Sequence, residues 1–353
     1  NNKTQGYVEG CAFTKLKEFS PSSRDHISWI LTTFYKWTPT QLTATGKAII
    51  DEPTLSKIDN DFARGCLTIL DLTKKLGMLA EGQNAWLKLV TKSKRIHHHC
   101  SVATSTHRAA HRNPNLAQVP SDLSFRALFT AAPGLQMVGA DLSGIELRML
   151  AHYLHRYDDG RYTDILLNDD IHQVNADKIG ISRRQVKTVQ YAMLYGAGDE
   201  KIGSTFDESL STNKKKAKGK EIREAFIEAI PGYGQLLEAV KKASAKGFIK
   251  AIDGRSIPVD SPHKALNFLL QSSAAVIAKR WLYINHLHTK ELKLCCSQLA
   301  FIHDEIQFEC APEHTKDLST SLVLSAQEAG EYYRTRCPIS AEAQVGKNWA
   351  EVH

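Results

Sequence analysis

Two acidic stretches, far apart in the chain, carry the residue types that metal-dependent chemistry needs. In the first, the apolar run 137–140 ends at Asp141, after which Leu147, Leu150 and Leu154 recur at helical spacing. A strand is therefore predicted to lead into a helix, with Asp141 at the junction. A carboxylate at such a turn projects into open space rather than into the core, so Asp141 is a candidate metal ligand.

The second acidic stretch lies within residues 298–310. Apolar and polar side chains alternate from 306 to 310, which predicts a hairpin with His303, Asp304 and Glu305 at its tight turn. The two strands would place Asp304 at the end of a sheet, as Asp141 is. Because acidic residues are common in turns, the metal interpretation depends on the two aspartates occurring together.

Residues 182–198 lie between the acidic stretches and predict a helix with a basic, tyrosine-bearing side. Ser182 has the side chain of an N-cap, and glycines at 196 and 198 are stop signals. Four side chains recur at every fourth residue along one face: Arg183, Lys187, Tyr191 and Tyr195. Cations in a first turn oppose the helix dipole unless an anion meets them. We therefore expect this face to bind a polyphosphate that bridges the helix and a metal ion, since a solvated charged face would not explain the tyrosines.

Ser143 and Glu146 have the spacing of a Ser-x-x-Glu capping box. This spacing predicts that the two side chains cap the helix that follows Asp141. Asp141 would then not be needed as a helix cap and would be available to bind a metal ion.

These blocks resemble the motifs of family A DNA polymerases. The matching residues are Asp-Leu-Ser-Gly-Ile-Glu-Leu-Arg at 141–148, the basic helix ending in Tyr195-Gly196, and His-Asp-Glu at 303–305. A fourth block, 106–111 leading to 114–120, resembles the segment before the first motif, with His107 where the family usually has glycine. The similarity runs from about Pro21 to the last residue, and residues 194–203 are most similar to the replicative enzymes of T-odd podoviruses.

The resemblance implies an α+β fold of the right-hand polymerase type, with an antiparallel-sheet palm, helical fingers and a partial helical thumb. We expect residues 1–90 to form the thumb base and the lead-in to the palm, mostly as helices, with Ile69, Leu72 and Leu76 in an apolar core stripe. Residues 91–165 would form the first part of the palm, 166–261 the fingers and 262–353 the second part of the palm.

The implied reaction is the attack of a primer 3′-hydroxyl on the α-phosphate of a dNTP, with release of pyrophosphate, in phage DNA replication. Two Mg²⁺ ions, or Mn²⁺ in their place, would be held by Asp141, Asp304 and the carbonyl of Leu142. Lys187 would act as the proton donor to pyrophosphate.

The resemblance also assigns binding roles. The residues implied at the incoming nucleotide are His172, Arg183, Lys187, Tyr191, Tyr195 and Glu146. The residues implied at the DNA are Arg108, Asn267, Gln271 and His303, and Glu305 adds a further acidic group. Glu146 thus has two interpretations, a helix cap or a gate that bonds to Tyr195 and blocks a ribose 2′-hydroxyl. We favour the gate because Tyr195 is present to pair with it.

Composition sets the remaining expectations. The chain has 353 residues and a formal net charge of +7, which predict more than one subdomain and favour an acidic partner. Seven cysteines form no disulfide framework and fit a reducing cytoplasm, here that of a bacterial host. The sequence shows neither a signal peptide nor a membrane-spanning stretch.

The expected partners are primer-template DNA and dNTPs. Related phage enzymes recruit thioredoxin through a thumb insertion, which this sequence does not contain. The chain begins with Asn1 rather than Met, so we expect an exonuclease domain and the outer thumb to precede it. Two other functions remain open: a single-subunit RNA polymerase, although Glu146 and Glu305 are typical of the DNA enzymes, and a catalytically silent DNA-binding fragment.

Overall fold

The computed structural model describes residues 18–102, 104–208 and 210–353. The chain divides into two compact units, Asn1–His97 and His98–His353. None of the helices in the described ranges is long and apolar enough to cross a membrane.

The first unit contains short helices around a small core. Its helices are α1 (Arg24–Thr33), α2 (Glu52–Leu55), α3 (Asp61–Leu76), which continues into a π-helical turn (Gly77–Glu81), and α4 (Trp86–Leu89). Ile27, Leu31 and Leu55 are buried in this core. The predicted stripe is wrong at its end, because Ile69, Leu72 and Leu76 are 38%, 57% and 44% exposed. Helical periodicity identifies an apolar face but not whether another element covers it.

The second unit is built on a four-stranded antiparallel sheet in the order β6-β7-β3-β8. These strands are β3 (Gln136–Leu142), β6 (Cys296–Ile302), β7 (Glu305–Cys310) and β8 (Ala341–Gly346). Two small hairpins are formed by β1 (His99–Ser101) with β2 (Ala110–Arg112) and by β4 (Phe248–Lys250) with β5 (Ser256–Pro258). The predicted hairpin at 298–310 is confirmed as β6 and β7, joined by His303 and Asp304, but Glu305 is the first residue of β7 and not a turn residue.

Helices complete the second unit. They are α5 (Leu123–Arg126), α6 (Ile145–Asp158), α7 (Arg161–Asn168), α8 (Ile171–Ile179), α9 (Arg183–Leu194), α10 (Asp199–Phe206), α11 (Thr212–Ala229), α12 (Tyr233–Ser244), α13 (Ala265–Glu291) and α14 (Thr315–Tyr332). The predicted basic helix is confirmed as α9, with Ser182 as its N-cap and a capping box to Gln185. The core runs from β3 and α6 to α13 and α14, where the buried Trp281 donates its Nε1–H to the carbonyl oxygen of Leu322 at 2.7 Å.

The face of β7 that alternation predicts to be polar is buried. All six residues of β7 are buried, including Gln307 and Glu309. The covering chain comes from elsewhere in the sequence, since Ala132 N donates to Glu309 Oε2 at 3.0 Å and Trp349 Nε1 donates to Glu305 Oε1 at 2.5 Å. Glu305 and Glu309 are therefore buried partners of remote segments, and the buried Gln307 donates to Glu305 within the strand.

Helices α10 and α11 cross closely enough to require glycine at the crossing. A Cβ atom on Gly219 would lie 1.8 Å from the carbonyl oxygen of Asp199, and one on Gly203 would lie 1.9 Å from that of Lys215. These neighbours are backbone atoms, so relief needs the helices to separate. We expect Gly219→Ala to lower the free energy of unfolding by about 1–3 kcal/mol, measured by urea denaturation.

A glycine in an open helix provides the control for this substitution. Gly65 lies within α3, and among the described residues no neighbouring atom lies within 4 Å of the point that a Cβ on Gly65 would occupy. Gly65→Ala should therefore stabilise its helix by about 0.5–1 kcal/mol. Equal effects of the two substitutions would contradict the steric explanation.

Candidate active site

The end of the sheet brings the two predicted aspartates together. Asp141 is the penultimate residue of β3, and Asp304 lies in the turn between β6 and β7. The amide of Leu142 donates to the carbonyl oxygen of Asp304 at 3.0 Å, which fixes the two chain segments side by side. Asp141 is also the cross-strand partner of Glu305 on β7 and of Glu342 on β8.

This end of the sheet is a poor environment for negative charge. Burial, followed by Asp304, Glu305 and Glu342, raises the pKa of Asp141 to about 7. Burial also raises the pKa of Asp304, while the nearby Arg108 lowers it. Ionising both aspartates therefore costs energy unless a cation comes between them.

The donor set fits a divalent cation that is completed by substrate. No group of three or more His, Cys, Asp or Glu side chains that could hold a metal occurs within the described ranges. Mg²⁺ commonly uses only one or two protein carboxylates and takes its other ligands from water and substrate phosphates. Two carboxylates with raised pKa values match that pattern.

Glu146 is the centre of a hydrogen-bonded group, and the predicted capping box is wrong. The N-cap of α6 is Gly144 in the left-handed conformation, and no side chain from the described ranges caps this helix. Glu146 Oε1 instead accepts from Arg108 Nη2 at 2.5 Å, and the Tyr195 hydroxyl donates to Glu146 Oε2 at 3.1 Å. Burial and Glu146 raise the pKa of Tyr195 to about 12, so the phenol keeps its proton. The sequence signal for the cap fails because Arg108 and Tyr195 compete for the same carboxylate.

The tyrosine end of the α9 face lies near the acidic groups at the end of the sheet. The pKa of Tyr191 is raised, mainly by burial and then by the negative charges of Glu146 and Asp304. The phenol therefore lies near both acidic groups. Lys187 is exposed and forms no ion pair with any residue that the structure describes. Arg183 forms an ion pair within the chain, because Arg183 Nε lies 2.6 Å from Asp170 Oδ2.

Asp170 is a residue that the sequence interpretation missed. Its Oδ1 accepts from the backbone amides of His172 and Gln173, so Asp170 also caps α8. His172 is 9% exposed, and burial lowers its pKa. Its pairing with Arg183, 13 positions along the chain, is a tertiary contact that no local pattern could predict.

The residues implied at the DNA lie on three elements of the second unit, and the structure connects Arg108 and His303 to the sheet end. Arg108 follows His107, whose φ of 61° is in the left-handed region. His303 contacts His111 edge to face, with ring centroids 5.8 Å apart. Asn267 and Gln271 are half-buried, one turn apart on α13.

Glu305 differs from the two aspartates because other side chains satisfy its carboxylate. It accepts from Trp349 Nε1 at 2.5 Å and from Gln307 Nε2 at 2.6 Å, and His353 Nδ1 lies 3.2 Å from its Oε2. Trp349 and His353 were missed from the sequence, where they appear only as part of the C-terminal segment. Their contacts make Glu305 part of the packed sheet.

An antiparallel sheet with two half-buried aspartates at its end, beside a helix that presents arginine, lysine and tyrosine, is the arrangement of a right-hand nucleic acid polymerase. The POL domain of Pol1 from M. smegmatis, solved in complex with DNA primer-template and dNTP, has the same fold, with a TM-score of 0.81 and 22% sequence identity over 95% of this chain and 62% of that one. The chain belongs to DNA polymerase family A, because the family model matches residues 3–351.

Phage polymerases are among its relatives. The DNA-directed DNA polymerases of Enterobacteria phage T3 and Escherichia phage T7 are each 35% identical to it over 99% of the chain. The chain spans 55% of the length of each of these relatives.

Proposed function

We propose that this chain is the catalytic part of a template-directed DNA polymerase that extends a primer 3′-hydroxyl with dNTPs during phage DNA replication. The observation that carries the proposal is the proximity of Asp141 and Asp304 at the sheet end, close to the tyrosine end of α9. The relatives from phages T3 and T7 bear the same activity in their names. The sheet would be the palm (91–165 and 262–353), residues 166–261 the fingers, and residues 1–90 the thumb base.

Asp141, Asp304 and the carbonyl oxygen of Leu142 would hold two Mg²⁺ ions. When bound, the ions would stabilise charge on the attacking and leaving oxygens of the displacement. The carboxylates themselves would orient the reacting groups from the rigid end of the sheet, since β3 is paired on both sides.

The α9 face would bind the triphosphate. Arg183 and Lys187 would neutralise its charge, with His172 beside them, and Lys187 would give a proton to the leaving pyrophosphate. Lys187 suits this role because it is exposed and has no ion pair with a described residue that an incoming phosphate would have to displace.

Glu146 would gate the sugar. The Glu146 carboxylate already accepts a hydrogen bond from the Tyr195 hydroxyl. It would occupy the space that a ribose 2′-hydroxyl needs and would not be an unoccupied hydrogen-bond partner for that hydroxyl. Arg108, Asn267, Gln271 and His303 would contact the minor groove near the primer end, where base edges distinguish sequence poorly. Base pairing would therefore supply the sequence specificity.

Primer extension with dNTPs, compared with rNTPs on the same template, tests the proposal. A DNA polymerase extends the primer with dNTPs and strongly prefers them. Extension with rNTPs would instead indicate an RNA polymerase, and binding of primer-template without extension would indicate a DNA-binding fragment. A longer protein that continues upstream of Asn1, assayed in parallel, separates loss of activity in this chain from a wrong assignment.

A further inference from the structure

Arg280 lies within a cluster of tyrosines formed by α13 and the end of α14. Its guanidinium carbon is 3.8 Å from the ring centroid of Tyr332, 5.6 Å from that of Tyr283 and 5.8 Å from that of Tyr333. Tyr332 and Tyr283 are 60% and 52% exposed. The rings hold the guanidinium in place by cation–π attraction while much of their own surface stays open to solvent.

A cavity of about 320 Å³ adjoins this cluster. Its lining residues are Arg255, Val276, Lys279, Arg280, Tyr283 and Tyr333. Arg255 is paired with Asp253 at 2.5 Å, whereas Lys279 and Arg280 have no carboxylate partner in the part of the chain that the structure describes. Burial and Arg255 lower the pKa of Lys279, so the concentration of positive charge here is costly. The cavity therefore favours an anionic ligand.

The cavity is electrostatically connected to the candidate active site. Arg255 and Lys279 both lower the pKa of His107, after burial as the largest cause. His107 immediately precedes Arg108, which bonds to Glu146. Arg255 and Lys279 therefore lie near the loop that carries Arg108, and a polyanion held at Arg108 would find further positive charge close by.

We propose that Arg255, Lys279, Arg280, Tyr283, Tyr332 and Tyr333 form a binding surface for single-stranded DNA, namely the unpaired part of the template. The inference rests on the proposed function and adds a contact surface to it. Phosphates would lie against the three cations, and bases would stack on the open rings of Tyr283 and Tyr332. Exposed aromatic rings among cations favour a single strand over a duplex, because paired bases do not offer their faces.

The test uses two fluorescent hairpin DNAs with the same duplex, one blunt and one with a single-stranded 5′ extension, titrated with the whole chain by anisotropy. We expect the parent to bind the extended hairpin more tightly. Arg280→Gln should weaken binding of the extended hairpin at least about fivefold, the effect of losing about one stacked base or its support. The slope of log affinity against log salt concentration should become shallower by about 1.

Matched variants separate the effect of the Arg280–tyrosine cluster on binding from the effect of removing one positive charge. Lys290→Gln removes one positive charge from an exposed site on the same helix and should leave both hairpins bound as by the parent. Arg280→Lys keeps the charge but lacks the planar guanidinium, so it should recover only part of the lost affinity. Tyr283→Leu provides an independent variant if Arg280→Gln proves poorly folded by thermal melting, and it should weaken binding of the extended hairpin only.

Three results would overturn the inference. They are equal binding of the two hairpins by the parent, an equal loss on both hairpins in Arg280→Gln, and no loss on either. The last would leave the cluster as packing between α13 and α14. Primer extension by the parent is scored separately, so an inactive parent would count against the proposed function, whereas an active parent with unchanged hairpin binding in Arg280→Gln would count only against this surface.

Discussion

Asp304→Ala should lower primer extension by about a thousandfold or more, the scale on which phosphoryl transfer depends on a major charge-stabilising group. Asp304 and Asp141 are the carboxylates that the fold brings to one end of the sheet, and both have raised pKa values. Removing one would leave too few ligands for the two proposed ions. Single-turnover extension of a labelled primer measures the effect, and binding of duplex DNA without metal should barely change.

Glu342→Gln is the matched control for this loss. Glu342 is the β8 partner of Asp141 in the sheet and contributes to the same negative potential, but it is exposed and has no proposed role as a ligand. Its neutralisation should leave extension within a few-fold of the parent. Near-parental extension by Asp304→Ala, or an equal loss in Glu342→Gln, would contradict the assignment.

Melting curves recorded in a metal chelator show whether a variant in the acidic pair is folded. They also measure how the stability of the metal-free protein depends on pH. The folded-state pKa of Asp141, about 7, lies above the ordinary value of 3.8. A carboxyl group with a raised pKa favours the folded state less as pH rises from its ordinary pKa through its folded one. The parent should therefore melt at a lower temperature at pH 8 than at pH 6 in part because of this residue, and Asp141→Asn should show a smaller decrease.

Tyr191→Phe should lower the use of dideoxynucleotides about five- to a hundredfold while ordinary dNTPs are incorporated nearly as before. Tyr191 lies on the α9 face, close enough to Glu146 and Asp304 for both to raise its pKa. Its hydroxyl can supply the hydrogen bond that is lost with a missing substrate 3′-hydroxyl. An unsatisfied buried partner costs about 1–3 kcal/mol, which sets the expected range. Competition between ddTTP and dTTP on one template measures it.

Tyr195→Phe provides the comparison on the same helix face. The Tyr195 hydroxyl bonds to Glu146, so its loss should weaken discrimination against rNTPs and leave the ratio of ddTTP to dTTP close to that of the parent. An unchanged ratio in Tyr191→Phe would place Tyr191 away from the sugar and make it a packing residue.

Local patterns predicted the elements that carry the site better than they predicted its contacts. The hairpin at Asp304 and the helix from Arg183 follow from alternation and capping, which are encoded within a few residues. The burial of Glu305 could not be predicted in that way, because Trp349 and His353 cover it from more than 40 positions away. The pairing of Glu146 with Arg108 is likewise a tertiary contact, over 38 positions, that replaces a favourable local cap.

His107 occupies a position where the resemblance leads us to expect glycine. Its φ of 61° is a conformation that glycine adopts freely, and another residue there costs about 1–3 kcal/mol. Two hydrogen bonds hold the turn. The His107 amide donates to the carbonyl oxygen of Thr104 at 3.0 Å, and the Thr104 hydroxyl donates to the carbonyl oxygen of Arg108 at 2.6 Å. The bracing keeps Arg108 in place despite the strain.

The ion pair between Arg183 and Asp170 would give the proposed triphosphate site an internal competitor for the arginine. Both side chains are about half-exposed, at 53% and 44%, so water weakens their attraction and the pair is easily broken. Asp170 also remains bonded to the amides of α8, so it need not move when the arginine leaves. A monovalent anion offers Arg183 little more than Asp170 already does, whereas a polyphosphate can engage Arg183 and Lys187 together. The site would thus select multiply charged ligands, because Arg183 would exchange Asp170 for a phosphate group. This selection would precede the test of base pairing.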